Sequence, residues 1–339
     1  MIGRAEDSEG FMGIETTIIG GYPKIGSSTD EQKLRRTLHQ FDRGNLEEED
    51  LAHVYNEVTE IAIQRQVDAG IDMVTDGLIR WDDAVTYLGR KIAGFDFGRL
   101  IRYFDTNTFY REPMIESRLE ALRPLTVDDY RFAAAHGSKP VKAVLTGPFT
   151  FAKLSRNRFY REERQLLFDL CHILHREVEA LEEAGCLHIQ FDEPCLLRHK
   201  QDLKLFFQAY EIVTAERSKA EKTILFNFGS IEGIYPKILE LPVERIGIEL
   251  IKGHKNWDVL KEAKWTKKLM AGVIDARNTK MESESEVVEL VQRLGDEIAL
   301  DQVWLSHNHS LEFLPRSNAD KKMELLVHVA RQLKGAGVS

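Results

Sequence analysis

Two carboxylates and a proline end the apolar run His188-Ile-Gln-Phe-Asp-Glu-Pro194. Side chains alternate along a strand, so His188, Gln190 and Asp192 share one face, with Asp192 nearest the carboxyl end. A carboxylate at such an edge can hold a substrate ammonium or act as a general base. The plain structural alternative is that Asp192 or Glu193 caps a following helix. His307 and His309 are likewise two apart, ending Val303-Trp-Leu-Ser-His-Asn-His309, and Glu249 closes Arg245-Ile-Gly-Ile-Glu249. Two imidazoles and one carboxylate suffice to bind a divalent metal, iron or zinc among them, although His307 could equally cap or pack. Asp275 and Arg277 end another run, Gly272-Val-Ile-Asp-Ala-Arg-Asn278. They can orient a substrate carboxylate through bidentate contact or pair with each other. The basic residues Lys24, Lys33, Arg35 and Arg36 fit a polyanionic tail or a solvated face about equally well.

These groups need a scaffold that collects strand ends. Apolar strands are expected at residues 16–20, 71–75, 141–146, 187–192, 222–228, 245–250, 268–275 and 302–307. Helical patterns between them cover 46–69, 161–184, 203–218, 231–239 and 318–333. Eight alternations predict an α/β protein built as a single (β/α)8 TIM barrel, whose functional groups gather at the carboxyl ends of the strands. An open doubly wound sheet is less suited, since no Gly-x-Gly-x-x-Gly opens a helix. Residues 82–140 read as an insertion between the second and third strands, with extra helices and a hairpin near 103–113 over the barrel mouth. Residues 1–13 read as a flexible tail and 14–339 as the barrel domain. The expected cavity holds Asp192, Glu249, His307 and His309, with Tyr22, Asn227, Asp275 and Arg277 on its wall.

Composition sets the outer bounds. The 339 residues are 43% hydrophobic and 30% charged, enough for a large core under a soluble surface. A net charge of -9 argues against nucleic acid or an anionic membrane as partner. No run approaches the ~18 apolar residues of a membrane span. Three cysteines, Cys171, Cys186 and Cys195, without a Cys-x-x-Cys, fit a reducing cytoplasm.

Taken in order, Thr17-Ile-Ile-Gly-Gly-Tyr-Pro-Lys-Ile-Gly26, Asp76-Gly-Leu-Ile-Arg-Trp-Asp-Asp-Ala-Val-Thr-Tyr87, Leu145-Thr-Gly-Pro-Phe-Thr150, Ile189-Gln-Phe-Asp-Glu-Pro194 and Ala271-Gly-Val-Ile-Asp-Ala-Arg-Asn278 resemble the cobalamin-independent methionine synthase family. The resemblance runs from about residue 14 to 335 and covers one barrel. It implies methyl transfer from a folate-like or corrinoid donor to a small thiol or amino-acid acceptor such as homocysteine. In that family a zinc ion presents the acceptor as a thiolate. Carried over by position, Ile19, Gly20, Gly21 and Asp192 match the family's amino-acid binding elements. With the reading of the residues above, Ile19, Gly20, Gly21, Tyr22, Lys24, Asn227 and Asp275 are the substrate-binding candidates, and Asp192, Arg277 and His307 the catalytic ones. The family's zinc ligands fall on Phe226, Phe228, Glu249 and His309, of which only the glutamate is kept. The resemblance therefore implies a degenerate zinc site, with iron or manganese on Glu249, His307 and His309 as the remaining option. Leu78 and Arg277 stand where the family carries a glutamate and a catalytic histidine. Two other readings stay open. One is a non-catalytic, pterin-binding or accessory barrel beside a separate catalytic or corrinoid partner protein; the other is a lyase or demethylase with altered chemistry.

Overall fold

The structure, a computed structural model, describes residues 14–215 and 219–336; the tail expected at 1–13 lies outside them. In chain order the strands are β1 (Glu15–Thr16), β2 (Ile92–Arg102), β3 (Phe109–Ala121), β4 (Ala143–Thr146) and β5 (Arg156–Asn157). β6 (His188–Asp192), β7 (Glu221–Phe226), β8 (Arg245–Glu249), β9 (Lys268–Ile274) and β10 (Val303–His307) follow. Seven of them form one parallel sheet in the order β1-β10-β9-β8-β7-β6-β4.

The eighth stave is residues 71–75, which close the sheet through two parallel bridges, Thr17 to Met73 and Val74 to Val141. Backbone bonds hold it on both sides, from Met73 N to Thr16 O at 3.0 Å and from Lys142 N to Val74 O at 2.9 Å, and side chains take over beyond them, so the expected second strand is short. Asp72 accepts from the Thr16 amide at 2.9 Å, and Gln66 meets the Thr75 amide and carbonyl, each at 2.9 Å. With that closure the expected (β/α)8 barrel stands.

Alternation along the strands separates two apolar layers. Ile19, Met73, Leu225, Met270 and Trp304 fill the lumen as a small cluster. The opposite faces, such as Ile224, Phe226, Ile246 and Leu305, join the larger core under the helices. Helix Glu48–Ala69 shows how sequence sets an element's ends. Glu47 and Asp50 close a capping box at its start, and Gly70 at φ 88° stops it in a left-handed turn that a side chain would strain.

The insertion is mostly β rather than helical. β2 and β3 pair antiparallel into a long hairpin, β5 adds to it, and helix Val127–His136 follows. The hairpin expected near 103–113 is its tip and the start of its second strand. The helix expected over 203–218 runs Leu203–Val213, with residues 216–218 outside the described part. The helix expected at 231–239 is instead a series of turns ending in a 3-10 turn, Lys237–Glu240.

Candidate functional site

A cavity of about 370 Å³ opens at the carboxyl ends of the strands. Ile19 and Lys24 reach it from the loop after β1, Asp192 from the tip of β6, Asn227 and Phe228 from beyond β7, and His309 from beyond β10. The strand ends thus converge, as the alternation along β6 predicts. His188 sits at the bottom of the lumen with its ring 5.3 Å from Trp304, Gln190 lies midway and Asp192 is at the mouth.

Burial pushes the Asp192 carboxyl up to about 7, against a hydrogen bond from Gln190 and the Lys142 cation, which favour the carboxylate. The Gln190 amide donates to Asp192 Oδ1 at 2.6 Å and to the Ile19 carbonyl at 2.7 Å. Lys142, fully buried in the lumen, donates to Gln190 Oε1 at 2.6 Å and to the Ile18 carbonyl at 2.9 Å. Burial brings its ammonium down to about 7. Glu193 has a different task. Its carboxylate accepts from the Phe149 and Thr150 amides at 3.1 and 2.7 Å and from the Tyr210 hydroxyl at 3.0 Å. It caps the start of helix Pro148–Leu154.

The metal candidates are only partly brought together. Glu249 Oε2 and His309 Nε2 lie 3.5 Å apart, both buried, and neither atom has a hydrogen-bond partner among the described residues. His307 does not join them. By strand alternation it sits on the helix-facing side with Leu305, outside the cavity, and burial beside the Lys322 ammonium pushes its imidazole down to about 3. Of the two phenylalanines at ligand positions, Phe226 packs on Phe206 at 5.9 Å, away from the cavity. Phe228 lies over His309, centroids 4.2 Å apart. A four-ligand zinc site needs thiolate, imidazole or carboxylate at each corner. One carboxylate and one imidazole under an aromatic ring do not fit it. Among the described residues no group of three or more His, Cys, Asp or Glu is placed to hold a metal.

Several sequence candidates stand elsewhere. The Tyr22 ring is buried and its hydroxyl donates to Asp320 at 2.6 Å, toward helix Arg316–Ala336, not the cavity. Gly20 and Gly21 do not line the cavity but let neighbours approach. A Cβ on Gly21 would meet Ser310 Oγ at 2.4 Å. Asp275 does not pair with the Arg277 guanidinium. It accepts from the Arg277 amide at 2.9 Å and from Asn308 at 3.1 Å, shaping the turn after β9. The Arg277 side chain instead reaches the hairpin tip, 2.7 Å from Asp105.

That tip is what sequence reasoning underplayed. Tyr103, Asn107, Thr108 and Phe109 form one wall of the cavity. Phe104 stacks on Phe228 at 4.8 Å and 11°, while the Arg198 guanidinium lies 4.3 Å over Phe104. Phe104 and Phe228 both hold positive φ, 50° and 65°, a costly conformation for a bulky residue. Trp81, Asp82, Asp83 and Glu312 complete the wall. The first three lie within a motif already singled out, whereas Lys142 was visible as a lone charge inside an apolar strand. The three cysteines are buried and unpaired; burial pushes Cys186 to about 11 and Cys195 to about 12, so neither is a ready nucleophile.

The family model described as "Cobalamin-independent synthase, Catalytic domain" matches residues 14–332. A methionine synthase of Saccharolobus solfataricus is 32% identical over 333 residues, covering 96% of this chain and 98% of its own. Another, from Sulfurisphaera tokodaii, is 30% identical, covering 96% and 95%. Among solved structures, a B12-independent methionine synthase from Shewanella sp. W3-18-1 in complex with selenomethionine superposes with TM-score 0.82 at 21% identity, covering 96% and 98%. A methyltransferase from Methanosarcina mazei gives 0.65 at 11% identity, covering 95% and 94%. At those identities the two structures speak for the fold.

Proposed function

We infer the activity from one premise: the chain belongs to the cobalamin-independent synthase family, as a catalytic-domain member. It is a methyltransferase that takes a methyl group from a donor co-substrate. The acceptor is a small amino-acid thiol such as homocysteine, and the donor is folate-like or a corrinoid. The observation that carries the site is Asp192, a carboxyl pushed up to about 7, opening on a cavity of about 370 Å³. A free thiol has a pKa of about 8.5, so this carboxylate is matched to remove its proton near neutral pH.

The step balances without any other base. The S–H proton goes to Asp192, and the sulfur lone pair forms the new S–C bond. The bond from methyl to the donor's leaving atom breaks with its electron pair on that atom; a corrinoid cobalt keeps the pair as it is, and a folate nitrogen leaves neutral by taking the proton from Asp192. Lys24, which lines the cavity and pairs with Glu312 at 2.8 Å, is the cation that supports binding of the acceptor's carboxylate there. Asn227 Oδ1, buried without a partner among the described residues, is an acceptor for its ammonium. Since the residues at the family's zinc position do not fit that metal, no step passes through one.

The test is methyl transfer to homocysteine from a methylated folate and, separately, a methylated corrinoid, read as methionine by mass spectrometry. Turnover with either donor that is lost in Asp192→Asn supports the assignment. No turnover by the chain alone with either donor removes it, and turnover that appears only when a separate catalytic barrel is added favours the accessory reading.

A further inference from the structure

We propose that Lys142 is a positioning residue for Asp192, acting through Gln190 to fix which carboxyl oxygen exchanges the proton. The inference rests on Asp192 being the base at the acceptor thiol. Below about pH 7 Lys142 is an ammonium with three donors and no acceptor, and above it the Ile19 carbonyl, which only accepts, keeps the Gln190 NH2 turned the same way. Lys142 Nζ lies 2.6 Å from one oxygen of the Gln190 side chain and 2.9 Å from the Ile18 carbonyl. The Gln190 carbonyl oxygen must therefore face the lysine, which turns its NH2 toward the mouth. There it donates to Asp192 Oδ1 at 2.6 Å and to the Ile19 carbonyl at 2.7 Å. Oδ1 is held as an acceptor, so a proton taken from the thiol rests on Oδ2, which has no hydrogen bond among the described residues. A glutamine without this anchor could turn its carbonyl to Asp192 and favour the protonated acid.

Charge acts in the same direction. Lys142 is fully buried, and its cation favours the carboxylate against burial. Other groups face this chain from neighbouring elements. Lys24 comes from the loop after β1, Asp82 and Asp83 from the loop after 71–75, Tyr103 from the hairpin and His309 from beyond β10. Glu193 follows Asp192, while Arg245 and His188 approach Lys142 from below. Of these, Lys142 alone is hydrogen-bonded into the Gln190–Asp192 chain.

The experiment is a carboxyl-carbon NMR titration of Asp192 together with the pH profile of kcat/KM. It uses the full-length chain and its Lys142→Met, Lys142→Arg and Gln190→Leu variants. Lys142→Met and Gln190→Leu are expected to move the Asp192 titration up by about one pH unit or more, with the acid limb of the rate following. Lys142→Arg keeps the cation and returns both toward the starting values. Gln190→Leu leaves the lysine in place, so the test survives if Lys142→Met does not fold. An Asp192 titration unmoved in a folded variant overturns the proposal. A titration that moves while the rate limb stays fixed leaves the positioning intact and removes Asp192 as the base.

Discussion

The two ends of the barrel lumen are built from similar residues and finished differently. At the amino-terminal end the charged groups meet their opposites, although His188 Nδ1 and Arg245 Nε have no hydrogen-bond partner of their own among the described residues. Arg245 lies 3.5 Å from Glu221 and 3.5 Å over the Trp304 ring, Lys268 pairs with the same glutamate, and Trp304 donates to Glu15 at 2.5 Å. At the carboxyl-terminal end Glu249 Oε2, Asn227 Oδ1 and both His309 nitrogens are buried with no hydrogen-bond partner among the described residues. Leaving such atoms unmet costs about 1–3 kcal/mol each, so a fold that keeps them has something else to put there. A closed lower end supplies stability, and an open upper end supplies binding capacity.

The contrast breaks most sharply at Asp192. Asp192→Asn should lower kcat/KM by about a thousandfold, the middle of the range for losing a general base, with little change in melting temperature. In the unaltered protein the base works deprotonated and its carboxyl is raised to about 7. The rate should therefore fall with decreasing pH through about 7, a limb that Asp192→Asn abolishes. A loss of fold in place of a loss of rate would put Asp192 with the structural end.

Arg245→Met is the mirror experiment. It leaves Glu221 partly unmet at the lower end and should cost about 1–3 kcal/mol in denaturant unfolding while kcat stays within about twofold. A large loss of rate with stability intact would show the two ends to be coupled.

His307 belongs to neither end, and its effect is confined to acid. Its imidazole is about 6.5 when unfolded and pushed to about 3 in the fold. Between those values the unfolded chain binds a proton that the native one refuses, so stability present above pH 6.5 is lost as pH falls. The slope approaches 1.4 kcal/mol per pH unit. His307→Gln should flatten the dependence of unfolding free energy between pH 6 and 4; an unchanged slope would place the imidazole in a polar setting.

How much of this was legible follows the same division. Period-two patterning and abrupt polar strand ends revealed the barrel and put Asp192, Asn227 and His309 at its mouth. His307 was misplaced because His-x-His was read as one face of a continuing strand. β10 ends at His307, with that residue on the helix side, and only the loop beyond turns His309 inward. Tyr22 and Asp275 satisfy local partners that the sequence does not display. The stave at 71–75 and the hairpin wall depend on contacts between residues distant in the chain, such as Thr16 with Asp72 and Arg277 with Asp105.

The hairpin wall gives a smaller prediction. Arg277→Ala removes the ion pair to Asp105 at the edge of the cavity, where Asp105 is largely exposed. Exposed pairs contribute about 0.2–1 kcal/mol, so the expected effect is a severalfold rise in KM with kcat nearly unchanged. A matching fall in kcat would make Arg277 part of the chemistry.

The smallest expected effect tests the upper end directly. Glu249 and His309 are the only candidates of the four zinc positions that carry metal-binding side chains, and the ring of Phe228 covers His309. A two-ligand set of oxygen and imidazole binds divalent ions far more weakly than a thiolate site. Purified protein should therefore hold well under one zinc per chain by elemental analysis, and prolonged dialysis against a chelator should leave its methyl-transfer rate unchanged. One zinc per chain, released by Glu249→Ala, would mean that the Phe228 ring moves aside and that the buried, unpartnered atoms of Glu249 and His309 are ligands. The thiol would then be activated by the metal, and Asp192 would keep only the acceptor's ammonium.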